Sequence, residues 1–190
     1  MAVAPPSRPR VTLDAPTTNA GAMERLMLLE TMTPARRGYD RADSIKAMRI
    51  MRQIIENRLR RPAEYGAPGA ATETEIVAVG TQFAGFGSYP TLDADLTGLL
   101  NLILAKAHDQ KEPRQAEYSQ FVLDAMTAAT EAIPSGARYA DATAWRTHDH
   151  GSPGGRFRLL VSLQGNDFYA TNPVPPLPAR HRHKAGHHHR

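Results

Sequence analysis

Glu30 is the residue in this chain best placed to do chemistry. It closes the run Met23-Glu24-Arg25-Leu26-Met27-Leu28-Leu29-Glu30. On a helix, positions 23, 26, 27 and 30 share one face, so an ionisable acid falls on the stripe that should point inward. Apolar surroundings push a carboxyl toward its protonated form, which is the form a general acid needs near neutral pH. Glu24, earlier in the same run, is read as pointing to solvent. A plainer role for Glu30 is also open, that of a helix-end acid paired with Arg36 or Arg37.

Two later segments carry groups that could line a cleft around it. In Gly80-Thr81-Gln82-Phe83-Ala84-Gly85-Phe86, the Gln82 amide can hydrogen-bond a sugar or peptide amide. Phe83 and Phe86 either stack on a sugar ring or plug the core beneath the loop. In Gln164-Gly165-Asn166-Asp167-Phe168-Tyr169, Asn166 offers an amide and Tyr169 a hydroxyl that could orient a carboxyl. The same stretch also reads as a turn, with Gly165-Asn166 suited to positive φ and Phe168 buried. His148-Asp149-His150 precedes Gly151-Ser152-Pro153-Gly154-Gly155 and is read as a mobile loop rather than a metal site. No Gly-x-Ser-x-Gly elbow, His-Glu-x-x-His pair or phosphate-binding loop is present. Neither a metal nor a cofactor is expected.

The elements that must position these groups are mostly helical. A first helix should start near Asn19 and end before Pro34, which disfavours helix at the residue preceding it. A second is predicted over Arg41 to Arg60, capped by Asp40 or Asp43 and stopped by Pro62, with Ile45, Met48, Met51, Ile54 or Ile55, and Leu59 as its apolar stripe. Lys46, Arg49, Arg52 and Arg60 make its other face cationic, read as a solvated face. Thr72-Glu73-Thr74-Glu75 has the pattern of a capping box, opening a short helix over Ile76 to Val79. Asp93 caps a fourth helix, whose Leu96, Leu99, Leu100, Ile103, Leu104 and Ala107 mark it as the central core helix. Pro113 opens a fifth, with Tyr118, Phe121, Val122, Ala125, Met126 and Ala129 buried. Phe157 to Leu163 is the one good strand candidate. The expected class is mostly α, with minor β, in a single domain.

Prolines at 5, 6, 9 and 16 mark residues 1–19 as a disordered segment, and prolines at 173, 175, 176 and 178 open a second disordered one over 172–190 that runs into a basic, histidine-rich tail. Residues 20–171, roughly 150 in number, are left for a folded domain of ordinary size. The formal net charge is +4. Arg180, Arg182, Lys184 and Arg190 carry that much in the tail, so the folded body is balanced and a nucleic-acid partner is not expected of it. There is no cysteine, which excludes disulfides and thiolate metal sites. Arg8 and Arg10 are followed by no apolar stretch, so no standard secretory signal is expected. No segment approaches the roughly 20 apolar residues that span a bilayer.

Taken in order, these pieces resemble the SleB-like cell wall hydrolases, typified by spore-cortex-lytic enzymes. More loosely they resemble the lytic transglycosylase branch of the lysozyme-like fold. The resemblance runs through Leu28-Leu29-Glu30, Ile54-Ile55-Glu56-Asn57-Arg58, Gln82-Phe83, Trp145 and Gly165-Asn166-Asp167-Phe168-Tyr169. It departs from the pattern at Thr31-Met32-Thr33-Pro34, at Ala84-Gly85-Phe86 and at Asp167, where a histidine would be expected. It implies a lysozyme-like domain that cleaves the β-1,4 bond between N-acetylmuramic acid and N-acetylglucosamine in peptidoglycan strands. Glu30 would be the general acid, and Gln82, Phe83, Phe86, Asn166 and Tyr169 the substrate-binding residues. Ordinary glycosidases need two carboxylates, and the cleft loops offer no obvious second acid. That favours the lytic route, in which one carboxylate serves as acid and then as base. The wall lies outside the cytoplasm, so such a protein would act in the periplasm or wall as a phage lysin or a delivered antibacterial effector with a delivery or immunity partner. The rival reading is a non-catalytic structural or interaction protein of a phage or secretion system with a degenerate lysozyme-like domain.

Overall fold

The computed structural model describes residues 11–80, 82–134 and 136–172; of the segments expected to be disordered, 1–19 and 172–190, the parts 1–10 and 173–190 lie outside the described residues. The described chain is α+β, with helices α1 (Asn19–Glu30), α2 (Arg41–Arg60), α3 (Glu73–Val77), α4 (Ala94–His108) and α5 (Gln115–Thr130) preceding strands β1 (Ala142–Thr147), β2 (Phe157–Leu163) and β3 (Asn166–Thr171). One turn of 3₁₀ helix, Pro62–Tyr65, follows α2. No helix among the described residues is long and apolar enough to cross a membrane.

The helix ends follow their local chemistry. Thr18, Asp40, Thr72 and Asp93 each cap a helix by accepting a backbone N–H, and Thr72 with Glu75 forms the full reciprocal box. The short helix it opens starts at Glu73, earlier than the expected Ile76.

The centre of the domain is α1, not α4. Ala22, Met23, Leu26, Met27 and Leu28 are fully buried, and the helix packs against α5, α3, α4 and α2. Its buried positions run around most of the circumference rather than along one stripe, as in a helix that belongs in an interior. The stripe on α4 is one-sided: Leu100, Ile103 and Ala107 are buried, while Leu102 is 52% exposed. Glu24 also departs from expectation. It is buried, and its Oε2 accepts the N–H of Asp14 at 2.8 Å.

That bond belongs to a seated N-terminal segment. Val11 and Leu13 pack on the helical core, Arg25 Nη1 donates to the Asp14 carbonyl at 2.9 Å, and the Tyr89 hydroxyl donates to the Pro16 carbonyl at 2.7 Å. Order therefore reaches back at least to Val11, well inside the segment the prolines had marked as disordered. Gly21 sits where this segment crosses α1, and a methyl group there would collide with the Ala15 carbonyl. Alanine in a helix normally gains about 1 kcal/mol over glycine. Gly21→Ala should instead lower the melting temperature; a rise would mean that residues 14–15 do not lie against α1.

Helix α2 is buried on two sides. Met48 and Ile55 face the helical core, while Ala47, Ile50, Met51 and Ile54 meet Ala142 and Phe168 of the sheet. Its cationic face is paired rather than simply solvated: Lys46 with Asp43, Arg49 with Glu131, and Arg52 with both Glu56 and Glu73. The sheet is antiparallel in the order β1-β3-β2. The segment Asn166 to Tyr169, read as a turn, is the central strand. The turn itself is Gln164-Gly165, both at positive φ (48° and 78°), the pattern of a two-residue hairpin whose twist matches its strands. Trp145 pairs with Phe168 and Thr147 with Asn166, so these four share the face that meets α2 and the end of α1.

Candidate active site

The C-terminal ends of α1 and α2, the loop after α3, and β1 converge on a cleft of about 360 Å³ whose lining includes Glu30, Arg58, Gln82, Phe83, Trp145, Arg146 and His150. Glu30 reaches it because α1 ends there. Asn166 fixes that end: its Nδ2 donates to the Glu30 carbonyl at 2.7 Å, satisfying one of the carbonyls a helix leaves open in its last turn. The Glu30 side chain bonds neither Arg36 nor Arg37. Its Oε2 accepts the indole N–H of Trp145 at 3.2 Å. Burial pushes the Glu30 carboxyl above the usual glutamate value, and the Trp145 bond, which favours the carboxylate, pulls part of the way back. Among the described residues lining the cleft, Glu30 is the only carboxylate.

Arg58 forms the opposite pole. It is 8% exposed, with Nε donating to the Thr143 carbonyl at 3.1 Å and Nη1 to Gln82 Oε1 at 2.5 Å. Its guanidinium lies over the rings of Phe83, Tyr65 and Trp145, at 5.3, 5.5 and 5.6 Å from their centroids. Phe83 and Trp145 stack at 5.0 Å. The result is an aromatic wall clamped on a cation, beside a single acid. Burial brings Arg58 down to about 10, so it stays charged at neutral pH.

The residues expected to bind substrate separate into three groups. Gln82 and Phe83 line the cleft with Glu30, but the Gln82 amide is committed at both ends, accepting from Arg58 and donating to the Tyr65 carbonyl. Asn166 stands behind Glu30 as a positioning residue, 4% exposed. Phe86 and Tyr169 do not line the cleft. Phe86 is fully buried and stacks on Tyr89 at 5.7 Å, so the core-plug alternative applies to it. Tyr169 alternates with Phe168 to the other side of β3, where its hydroxyl donates to the Gly151 carbonyl at 3.3 Å.

The His148 segment, expected to be mobile, is tied to the sheet. Its N–H donates to the Gly165 carbonyl at 2.7 Å, and its Nδ1 lies 2.8 Å from Asp167 Oδ1, which also accepts from Ser162 at 2.5 Å. The Asp167 bond raises the His148 value. Burial works against the Asp167 carboxylate, but the bonds from Ser162 and His148 outweigh it and lower its value. This anchor carries His150 to the cleft rim. Trp145, marked in the sequence only by the resemblance, lies within β1; the His148-Asp149-His150 motif draws attention to His150 but reads as a mobile loop, and nothing local marks Arg146.

One prediction follows from the Trp145 bond. Trp145→Phe keeps a ring and removes the N–H that favours ionised Glu30, so the Glu30 titration followed by carboxyl carbon NMR should move to higher pH. A shift to lower pH would mean that the indole does not hold the carboxylate.

A second cavity of about 340 Å³ runs along α2, lined by Ile50, Ile133 and Tyr139 among others, and none of the anticipated site residues borders it. Among the described residues, no group of three or more His, Cys, Asp or Glu side chains could hold a metal ion. Compared with family models, curated proteins and solved structures, the chain matches none.

Proposed function

We propose that the protein cleaves the β-1,4 bond between N-acetylmuramic acid and N-acetylglucosamine in peptidoglycan, with Glu30 as its lone acid and base. The observation that carries this reading is a single carboxyl, held toward its protonated form by burial, at the wall of a cleft with aromatic sides. Half-buried Trp145, backed by the buried Phe83 ring, offers an apolar surface of the kind a sugar face packs on. Glu30 protonates the glycosidic oxygen as its bond to C1 breaks, and charge builds on the muramyl ring. The resulting carboxylate then takes the proton of the muramyl C6 hydroxyl, whose oxygen closes on C1. The products are a free 4-hydroxyl on one strand and a 1,6-anhydro end on the other, with no water consumed. A hydrolytic outcome needs a water activated in place of the C6 hydroxyl, and the described residues lining the cleft include no second carboxylate for that.

The lysozyme-like identity of the fold is part of the same proposal. It is supported by a central helix that delivers one acid to a cleft walled by a small antiparallel sheet. Action in the periplasm or wall, as a lysin or a delivered effector with an immunity or delivery partner, follows from the substrate. The commitment of the Gln82 and Asn166 amides to protein partners favours the rival reading, a non-catalytic interaction domain of a phage or secretion system. Incubation with purified sacculi separates the two. The enzyme reading expects soluble muropeptides with anhydro ends by mass spectrometry; release of nothing would leave the interaction reading, and reducing ends would overturn the lytic route.

A further inference from the structure

We propose that Arg58, flanked by Arg146, forms a carboxylate subsite that reads an acidic group on the muramyl side of the scissile bond. The inference rests on the glycan-cleaving reading and names what the cleft selects.

Among the described residues, Arg58 is the arginine whose burial is not matched by a carboxylate partner. Arg41, Arg49 and Arg52 each sit on a carboxylate, although Arg41 and Arg49 keep more than half of their side-chain surface exposed. Arg58, among the most buried, has no ion pair among the described residues. Its charge is offset only by a carbonyl, an amide oxygen and three ring faces. Ring faces and neutral acceptors compensate a buried cation less well than a carboxylate does. The acid across the cleft does not serve: Glu30 bonds Trp145 and is held toward its neutral form. Arg146, exposed on β1, borders the same cleft; its register partner on β3 is Asp167, with which it makes no ion pair. The site therefore carries two cations against one acid whose ionised form burial disfavours.

Two of the five guanidinium N–H groups of Arg58 are taken by Thr143 and Gln82. A fork held by such contacts is preorganised for a planar acceptor, and carboxylate is the acceptor that matches its geometry and charge. Neutral N-acetyl sugars offer no such group. Peptidoglycan offers it in two places: the lactyl carboxyl of a muramyl residue stripped of its peptide, and the carboxylates of an attached stem peptide. If the lactyl group is read, the reaction that supplies this substrate is an amidase step removing the peptide.

The test uses Glu30→Gln protein, which binds without cleaving, in titration calorimetry with three muramyl tetrasaccharides: free lactyl carboxylates, the same carboxyls as methyl amides, and stem peptides attached. The free acid or the peptide form should bind about tenfold tighter than the methyl amide, the worth of one charge-assisted hydrogen bond. Which of the two does so identifies the source. Added salt and Arg146→Gln should each narrow the gap, and Arg58→Lys should narrow it further while melting as a folded protein. Equal binding of all three ligands would overturn the subsite, while muropeptide release by the wild type would leave the cleavage reading standing. If no ligand binds and the wild type releases nothing, the cleavage reading fails and the subsite with it.

Discussion

Glu30→Gln should melt at a higher temperature than the wild type at pH 7 and release essentially no muropeptides from sacculi. The two effects have one cause. Burial raises the Glu30 value above that of the unfolded chain, so the folded state holds its proton more tightly. Stability from this group is fully present below the ordinary glutamate value and is lost as pH rises through the folded-state value. At neutral pH the wild type keeps an ionised carboxylate in a site that disfavours it; glutamine removes that cost. Melting curves should therefore diverge above the ordinary glutamate value, with the variant ahead, and converge below it. General acid catalysis typically contributes 10²–10⁴-fold, and under the lytic mechanism one carboxylate performs both proton transfers, so the loss should reach at least the upper part of that range. The pH profile of the wild type should fall on its alkaline side as Glu30 loses its proton. Glu24 is the control, because it is also buried with a raised value but bonds the Asp14 N–H outside the cleft. Glu24→Gln should leave muropeptide release intact. If Glu30→Gln cuts as well as the wild type, the acid is elsewhere.

What could be read from the chain beforehand was local. Asp40 and Pro62 bracket α2, and the observed bounds match the expected ones because each is set by the chemistry of one or two neighbouring residues. The Thr72–Glu75 box and the Asp93 cap are set just as locally, although the helix the box opens spans Glu73–Val77 rather than the expected Ile76 to Val79. Placement was less legible. Whether α1 or α4 lies at the centre depends on how many faces are covered, and a stripe of leucines on α4 does not reveal that its other side meets solvent. The sheet was half visible: β2 has an apolar run, whereas in β3 the buried Asn166 and Asp167 hide the strand behind polar letters. Those two are tolerable inside because they find partners, the Glu30 carbonyl from far along the chain for Asn166, and His148 with Ser162 of the neighbouring strand for Asp167. The site followed the same rule. Glu30 was legible as an acid on an apolar stripe. That the Gln82 amide is spent on Arg58 and Tyr65, and that Trp145 bonds the acid, are long-range facts no window of sequence contains.

Phe86→Ala should cost about 3–5 kcal/mol of stability, the range for truncating a buried aromatic, and should leave the intrinsic ligand affinity of the folded protein unchanged. Sequence placed Phe86 beside Phe83 as a possible sugar-stacking residue, and the two differ in what they touch. Phe83 stacks on Trp145 and borders the cleft. Phe86 is fully buried, stacked on Tyr89 and edge-on to Phe83 at 6.3 Å, so its removal opens a void in the helical core and exposes no ligand surface. Domains of this size are stable by only about 5–15 kcal/mol, so the alanine variant stands near the edge of folding, and Phe86→Leu, which leaves a smaller void, supplies a folded comparison. Urea unfolding should show a lower midpoint for both, more so for alanine. Affinity of the folded Phe86→Leu protein for a muramyl tetrasaccharide should equal that of the wild type, whereas Phe83→Leu, which breaks the stack over Arg58, should weaken it. A Phe86→Leu protein that unfolds like the wild type yet binds the glycan more weakly would return Phe86 to the cleft and overturn its assignment to the core.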